Sequence, residues 1–194
     1  MPAPRRLCLA RRGVLIGAIL WLAACQMTAA SLSRAPASVL GGQVTVAGPR
    51  GYCVDPATTR EQGDTAVVLM GRCQFALAID PALLTVSVGP TASAGVLAAG
   101  GAALTTFFTS DDGRAALSRS GTARDVKVLQ ALAVDDAYLL FLSDRAVGAY
   151  WRAVVGVKGR LVTISANGTP DAPLAASAGR ALVDATLAAL RRGN

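Results

Sequence analysis

Of the 194 residues, 53% are apolar and only 16% are charged, and no histidine occurs anywhere in the chain. Without histidine there is no common general base, no Ser-His or Cys-His nucleophilic pair and no nitrogen ligand of the kind zinc favours. The formal net charge of +7 belongs mostly to the first two dozen residues: four of the 19 basic residues precede Cys25, leaving 15 against 12 acidic ones, a net of +3, which points to no nucleic-acid partner.

Arg5, Arg6, Arg11 and Arg12 lead an apolar stretch from Gly13 to Ala24. A dozen residues fall short of the roughly 20 that a membrane-spanning helix needs. They match the apolar segment of a secretory signal behind its basic head. The stretch ends in Leu22-Ala23-Ala24-Cys25, which resembles the lipobox of bacterial lipoproteins. The resemblance implies that residues 1–24 form a signal peptide removed just before Cys25. It also implies that the Cys25 thiol carries diacylglycerol, and that acyl chains such as palmitate hold the mature protein on a lipid membrane. Two or more chains anchor firmly, because each buried methylene adds about 0.8 kcal/mol. An ordinary signal cut near Ala24 or Ala30 would instead leave Cys25 incidental. Gln26, in the place where an Asp would retain such a protein at the inner membrane, implies the outer membrane, with the domain at the periplasmic face.

The chain has four cysteines. Cys8 leaves with the leader and Cys25 is blocked by lipid, so Cys53 and Cys73 remain in an oxidising compartment, where they are expected to form a disulfide. No C-x-x-C spacing favours a metal or redox site, and no metal or cofactor is expected. Residues 25–42, rich in Ala, Ser, Thr and Pro, read as the lipidated N-terminus and a flexible tether. Residues 43–194 read as one globular domain of about 150 residues, long enough for a sizeable core.

Within the domain, Val44 and Val46 alternate with polar neighbours, as in a strand. Asp55-Pro56 has the form of a helix start, predicting a brief helix through Glu61. The run "TAVVLMGRC" is continuously apolar and predicts a central strand, and "LLTVSVG" is a strand of period two. Leu104 to Ser118 has near-helical spacing with a break at Gly113, and Gly121 is the expected C-cap. Strands follow at "DVKVLQALAV" and "YLLFLS", turned by Asp135-Asp136. Lys158-Gly159 has the chemistry of a two-residue hairpin turn. Pro173 then opens a final helix with Leu182, Thr186, Ala189 and Leu190 on one stripe, an Arg180–Asp184 surface pair, and Arg191 and Arg192 in the last turn.

This order gives an α+β fold, mainly an antiparallel β-sheet with helices packed on its faces. The closing "YWRAVVGVKGRLVTISANG" and "LAASAGRALVDATLAAL" resemble the hairpin-then-helix ending of the PsbP-like family. That resemblance implies an α/β/α sandwich and carries no functional motif.

On a strand, Trp151 facing the core turns Tyr150 and Arg152 outward, a pair suited to a partner surface. Asp111-Asp112 and Asp135-Asp136 read as solvated surface and turn residues, and neither Lys127 nor Lys158 is placed to be a desolvated base. The function expected is a membrane-anchored envelope lipoprotein acting as a non-catalytic binding or assembly module for an envelope protein partner. The alternative is an envelope enzyme acting on cell-wall or lipid substrates by Ser or carboxylate chemistry, with Asp55, Asp64 and Asp80 as candidates. It would require two carboxylates about 5–10 Å apart in a cleft.

Overall fold

The computed structural model describes residues 32–169 and 171–194. The leader, Cys25, Gln26 and the first part of the expected tether lie outside the described residues. The rest of that tether is part of the domain. Strand β1 (Ala37–Val39) pairs antiparallel with β2 (Val44–Val46), and Ser33 bridges to Val54. The small polar residues of this stretch suit a linker, but Val39 and Leu40 are 1% and 8% exposed and belong to the main core. Burial of those two side chains is what draws the segment in.

β3 (Tyr52–Val54) leads to a turn in place of the expected helix. The Asp55 carboxylate accepts from the Ala57 amide, and the Asp55 carbonyl accepts from the Thr58 and Thr59 amides. That single turn is not propagated. The β-branched Thr58 and Thr59 favour extended backbone, and Arg60–Gln62 becomes β4, a hairpin partner of β5 (Thr65–Arg72). The Cys53–Cys73 disulfide is formed, with Cα atoms 5.1 Å apart across a separation of 20 residues. It ties β3 to the end of β5, and closing a loop of that length stabilises the fold by about 3 kcal/mol in the chain-entropy account.

β6 (Leu83–Val88) is followed by a 3-10 turn over Ser93–Ala99 and by two helices, α1 (Gly100–Thr109) and α2 (Asp111–Leu117). The break falls at Ser110 and not at Gly113. Ser110 Oγ accepts from the Gly113 amide and caps α2, whereas Gly121 takes a positive φ only in the turn beyond the helix. β7 (Val126–Val134), β8 (Ala137–Asp144), β9 (Gly148–Val157) and β10 (Arg160–Asn167) then form a continuous meander. Both residues of the Lys158-Gly159 turn have positive φ, 48° and 78°, matching the twist of a two-residue hairpin. α3 (Ala176–Gly193) begins three residues after Pro173 and buries Val183, Thr186, Leu187 and Leu190, each apolar one contributing about 1.5–3 kcal/mol.

The main sheet is antiparallel, in the order β3-β5-β6-β10-β9-β8-β7, with β4 also pairing to β5. β5 is therefore one strand from the edge, not central. Its apolar run hides a period of two: Ala66, Val68 and Met70 are buried, while Val67 is 37% exposed. One sheet face is covered by α3 and the β1–β2 hairpin, packed on residues such as Met70, Val86, Leu139, Trp151 and Ile164. On the other face α1, α2 and the 3-10 turn cover Tyr138, Leu140, Leu142 and Val154. The helices thus lie on both faces of a mainly antiparallel sheet, an α+β domain.

Candidate binding groove on the open half of the sheet

The second face is only half covered, and the uncovered half carries a polar strip bordered by Val67, Leu69 and Leu83. Thr85 and Ser87 of β6 sit opposite Ser165 and Thr163 of β10, and Arg152 of β9 sits opposite Ser165. Cross-strand partners share a face, so four hydroxyls and a guanidinium are laid side by side. They line a groove of about 240 Å³ together with Arg119, Val147, Tyr150 and Asn167. Arg119, Val147 and Asn167 also border an adjoining hollow of about 450 Å³ that runs to Leu83, Pro173 and Leu174.

Arg152 Nε donates to Ser165 Oγ at 3.1 Å, and its guanidinium carbon lies 5.5 Å from the centre of the Tyr150 ring. Neither Arg152 nor Arg119 has a carboxylate within ion-pair distance among the described residues. Tyr150 is turned away from Trp151, as the strand alternation requires, but it is only 5% exposed, because the cluster around Leu142 and Val154 packs against it. The ring forms a wall of the groove and is not displayed at the surface. Burial raises the Tyr150 phenol above its ordinary value, with Arg152 opposing and Asp144 adding to the rise. The phenol therefore stays protonated at neutral pH. Asp144 is itself buried, with its carboxylate on the Ala146 amide, and is not part of the lining.

Asn167 closes the far end. It is 7% exposed and its side-chain Nδ2 is buried without a hydrogen-bond partner. A buried unpaired amide costs about 1–3 kcal/mol. A second basic hollow, of about 410 Å³ beside α2, is lined by Arg114, Arg124 and Lys127. There Arg114 is already paired with Asp111.

Two of the three carboxylates of the enzyme alternative, those of Asp55 and Asp64, are engaged elsewhere. Asp55 caps its turn. Asp64 binds Arg160 and the Thr91 amide. Asp80 contributes its backbone carbonyl to the Tyr52 hydroxyl. None of the three lines the groove, and among the described residues no three Cys, Asp or Glu side chains converge as a metal would require. Among the described residues no helix is long and apolar enough to cross a membrane.

Of the groove residues, Tyr150 and Arg152 are legible in the sequence, whereas Arg119, Asn167 and the four hydroxyls are not. The period of two marks Thr85, Ser87, Thr163 and Ser165 as one-faced, but only the pairing of β6 with β10 brings them together. No known family model matches the chain, and no curated protein matches it. Among solved structures it is similar to the solution structure of cyanobacterial PsbP (CyanoP) from Synechocystis sp. PCC 6803. The two are 14% identical with a TM-score of 0.42, over 89% of this chain and 96% of that one. The α+β class rests on the strand order and helix packing themselves.

Proposed function

We propose that the protein is a membrane-anchored, non-catalytic binding module of the bacterial cell envelope. Acylated Cys25 holds it on the membrane, the outer membrane by the Gln26 rule, and the open half-sheet takes a small anionic ligand or an anionic group of an envelope partner. One observation carries the reading: Arg152 and Arg119, neither with a carboxylate within ion-pair distance among the described residues, line one groove with four hydroxyls and Asn167. Guanidiniums and hydroxyls gathered without a carboxylate suit an anion, and charge-assisted hydrogen bonds from Arg are the strong kind.

Convergence of four hydroxyls favours the enzyme alternative, since a Ser or Thr nucleophile would sit there. A hydroxyl nucleophile needs an adjacent base, however, and the lining supplies only arginines and a phenol held in its protonated form. The groove is equipped to hold a ligand rather than to transform one.

The test is titration of the folded protein with inorganic phosphate and with succinate, followed by the NMR signals of the Asn167 side-chain amide and Arg152 Nε. Both signals are expected to shift, and Arg152→Gln should weaken binding about tenfold. If neither anion moves the Asn167 amide, the anion reading is wrong. The anchor is tested separately, by fatty-acid labelling of the wild type and of Cys25→Ala, where the label should vanish.

A further inference from the structure

Phe75 and Leu77, 84% and 77% exposed, are the two most exposed large apolar side chains among the described residues. They lie immediately after Cys73, in a loop that is held from several sides. The Ala76 amide donates to the Cys73 carbonyl at 2.9 Å and the Ile79 amide to the Ala76 carbonyl at 3.0 Å. Arg72 donates to the Ile79 carbonyl at 3.1 Å, and the Tyr52 hydroxyl to the Asp80 carbonyl at 2.7 Å. Ile79 packs so closely on Gly51 that a Cβ there would overlap it. A loop fixed this firmly, yet presenting an aromatic and an aliphatic side chain to solvent, is shaped to meet an apolar partner.

The chain itself indicates which partner. Leu32 lies over Gly71, and Ser33 is bridged to Val54, next to the disulfide that begins the loop. The described chain therefore starts on the same side of the domain as Phe75 and Leu77. Six residues separate Leu32 from Cys25, and even a fully extended chain of that length reaches only about 25 Å. With β1 and β2 taken into the fold, an acyl group on Cys25 must keep this side of the domain close to the lipid.

We infer that the Phe75–Leu77 loop is a second membrane contact, seating both side chains at the boundary between headgroups and acyl chains. Arg72, which donates to the Ile79 carbonyl, and Arg50, which borders the same hollow as Ile79 and Asp80, supply cations beside it for anionic headgroups. Apolar anchors rimmed by cations are the usual composition of an interfacial contact. A single contact of this kind binds weakly; joined to a lipid anchor it fixes the domain's orientation and points the open groove in a set direction. The inference rests on acylation of Cys25.

The experiment reconstitutes the purified chain carrying Phe75→Trp into phosphatidylethanolamine–phosphatidylglycerol vesicles with brominated acyl chains. Mass spectrometry of the same sample reads the state of Cys25. Phe107→Trp is the control, an exposed site on α1 toward the other edge of the sheet, and wild-type emission, from Trp151 and from Trp21 where the leader is retained, is subtracted. The emission from position 75 is expected to shift to the blue and to be quenched several-fold more than that from position 107. An acylated chain quenched equally at both positions overturns the inference and leaves the patch to a protein partner. A chain that proves unacylated removes the anchor. Quenching at position 75 would then still support the loop as a lipid contact, and its absence would overturn that as well.

Discussion

Arg160 is 3% exposed and carries a full charge, which is tolerable because oxygens surround it. Its guanidinium donates to Asp64 Oδ1 at 2.6 Å, to Gln43 Oε1 at 2.8 Å, and to the carbonyls of Asp64 and Gly89, each at 3.0 Å. One side chain at the head of β10 thereby ties down the turn before β2, the β4–β5 hairpin and the end of β6. Asp64 registers the same contacts: hydrogen bonds from Arg160 first, and then from Thr91, lower its pKa from 3.8 to about 2. A carboxylate more acidic in the folded state than in the unfolded chain stabilises the fold above the unfolded value. That contribution drains away as pH falls from 3.8 to about 2. Asp64→Asn should therefore be less stable than the wild type at neutral pH, with the two urea midpoints converging through that acid window. A constant gap down to the lower end would mean that the carboxylate's charge plays no part. Because half of the Asp64 side chain is exposed, solvent screens the pair and the gap will be modest.

At the scale of elements, two rules compete at Gly113. Helix propensity favours Ala over Gly by about 1 kcal/mol in a helix interior. Here, however, a Cβ would overlap the Phe107 carbonyl, because α2 turns tightly back on the end of α1. Backbone cannot yield as a side-chain tip can, so packing should win. Gly113→Ala is expected to destabilise by about 1–3 kcal/mol in chemical denaturation, and a neutral or stabilising result would show that the two helices can part at no cost. Gly113 also shows where the sequence stops being legible. Glycine there reads as a helix breaker, since its partner Phe107 is visible only once the chain has folded back. The Lys158-Gly159 hairpin, α3 and the disulfide follow from rules acting over a few residues or from cysteine count, and they were predictable. β1, β4 and the off-centre place of β5 depend on which strands lie alongside, and composition misreads all three. The same holds for the groove: Arg152 could be placed on a face by alternation, but Asn167 at the end of β10 and Arg119 after α2 meet there only once the chain has folded.

For the molecule as a whole, the contrast between the two sheet faces separates what folds the domain from what it is used for. One face is fully packed under α3 and the β1–β2 hairpin, and the other is packed only where α1, α2 and the 3-10 turn lie. The remaining half carries Thr85, Ser87, Thr163 and Ser165, partly exposed or lining a hollow and contributing little to either core. β-branched Val fits a strand as well as Thr does, so the hydroxyls at 85 and 163 are dispensable for the sheet. Thr85→Val with Thr163→Val should leave the free energy of unfolding within about 0.5 kcal/mol of the wild type. The same double change removes two donors from the groove and should weaken anion binding, because a buried ligand oxygen would lose its partners. Differential scanning calorimetry and anion titration on one sample read both quantities. Stability held while affinity falls would mark the open face as kept for binding at no benefit to the fold. Equal loss of both would mean that the hydroxyls hold the sheet together, and the groove would lose its claim to be the site.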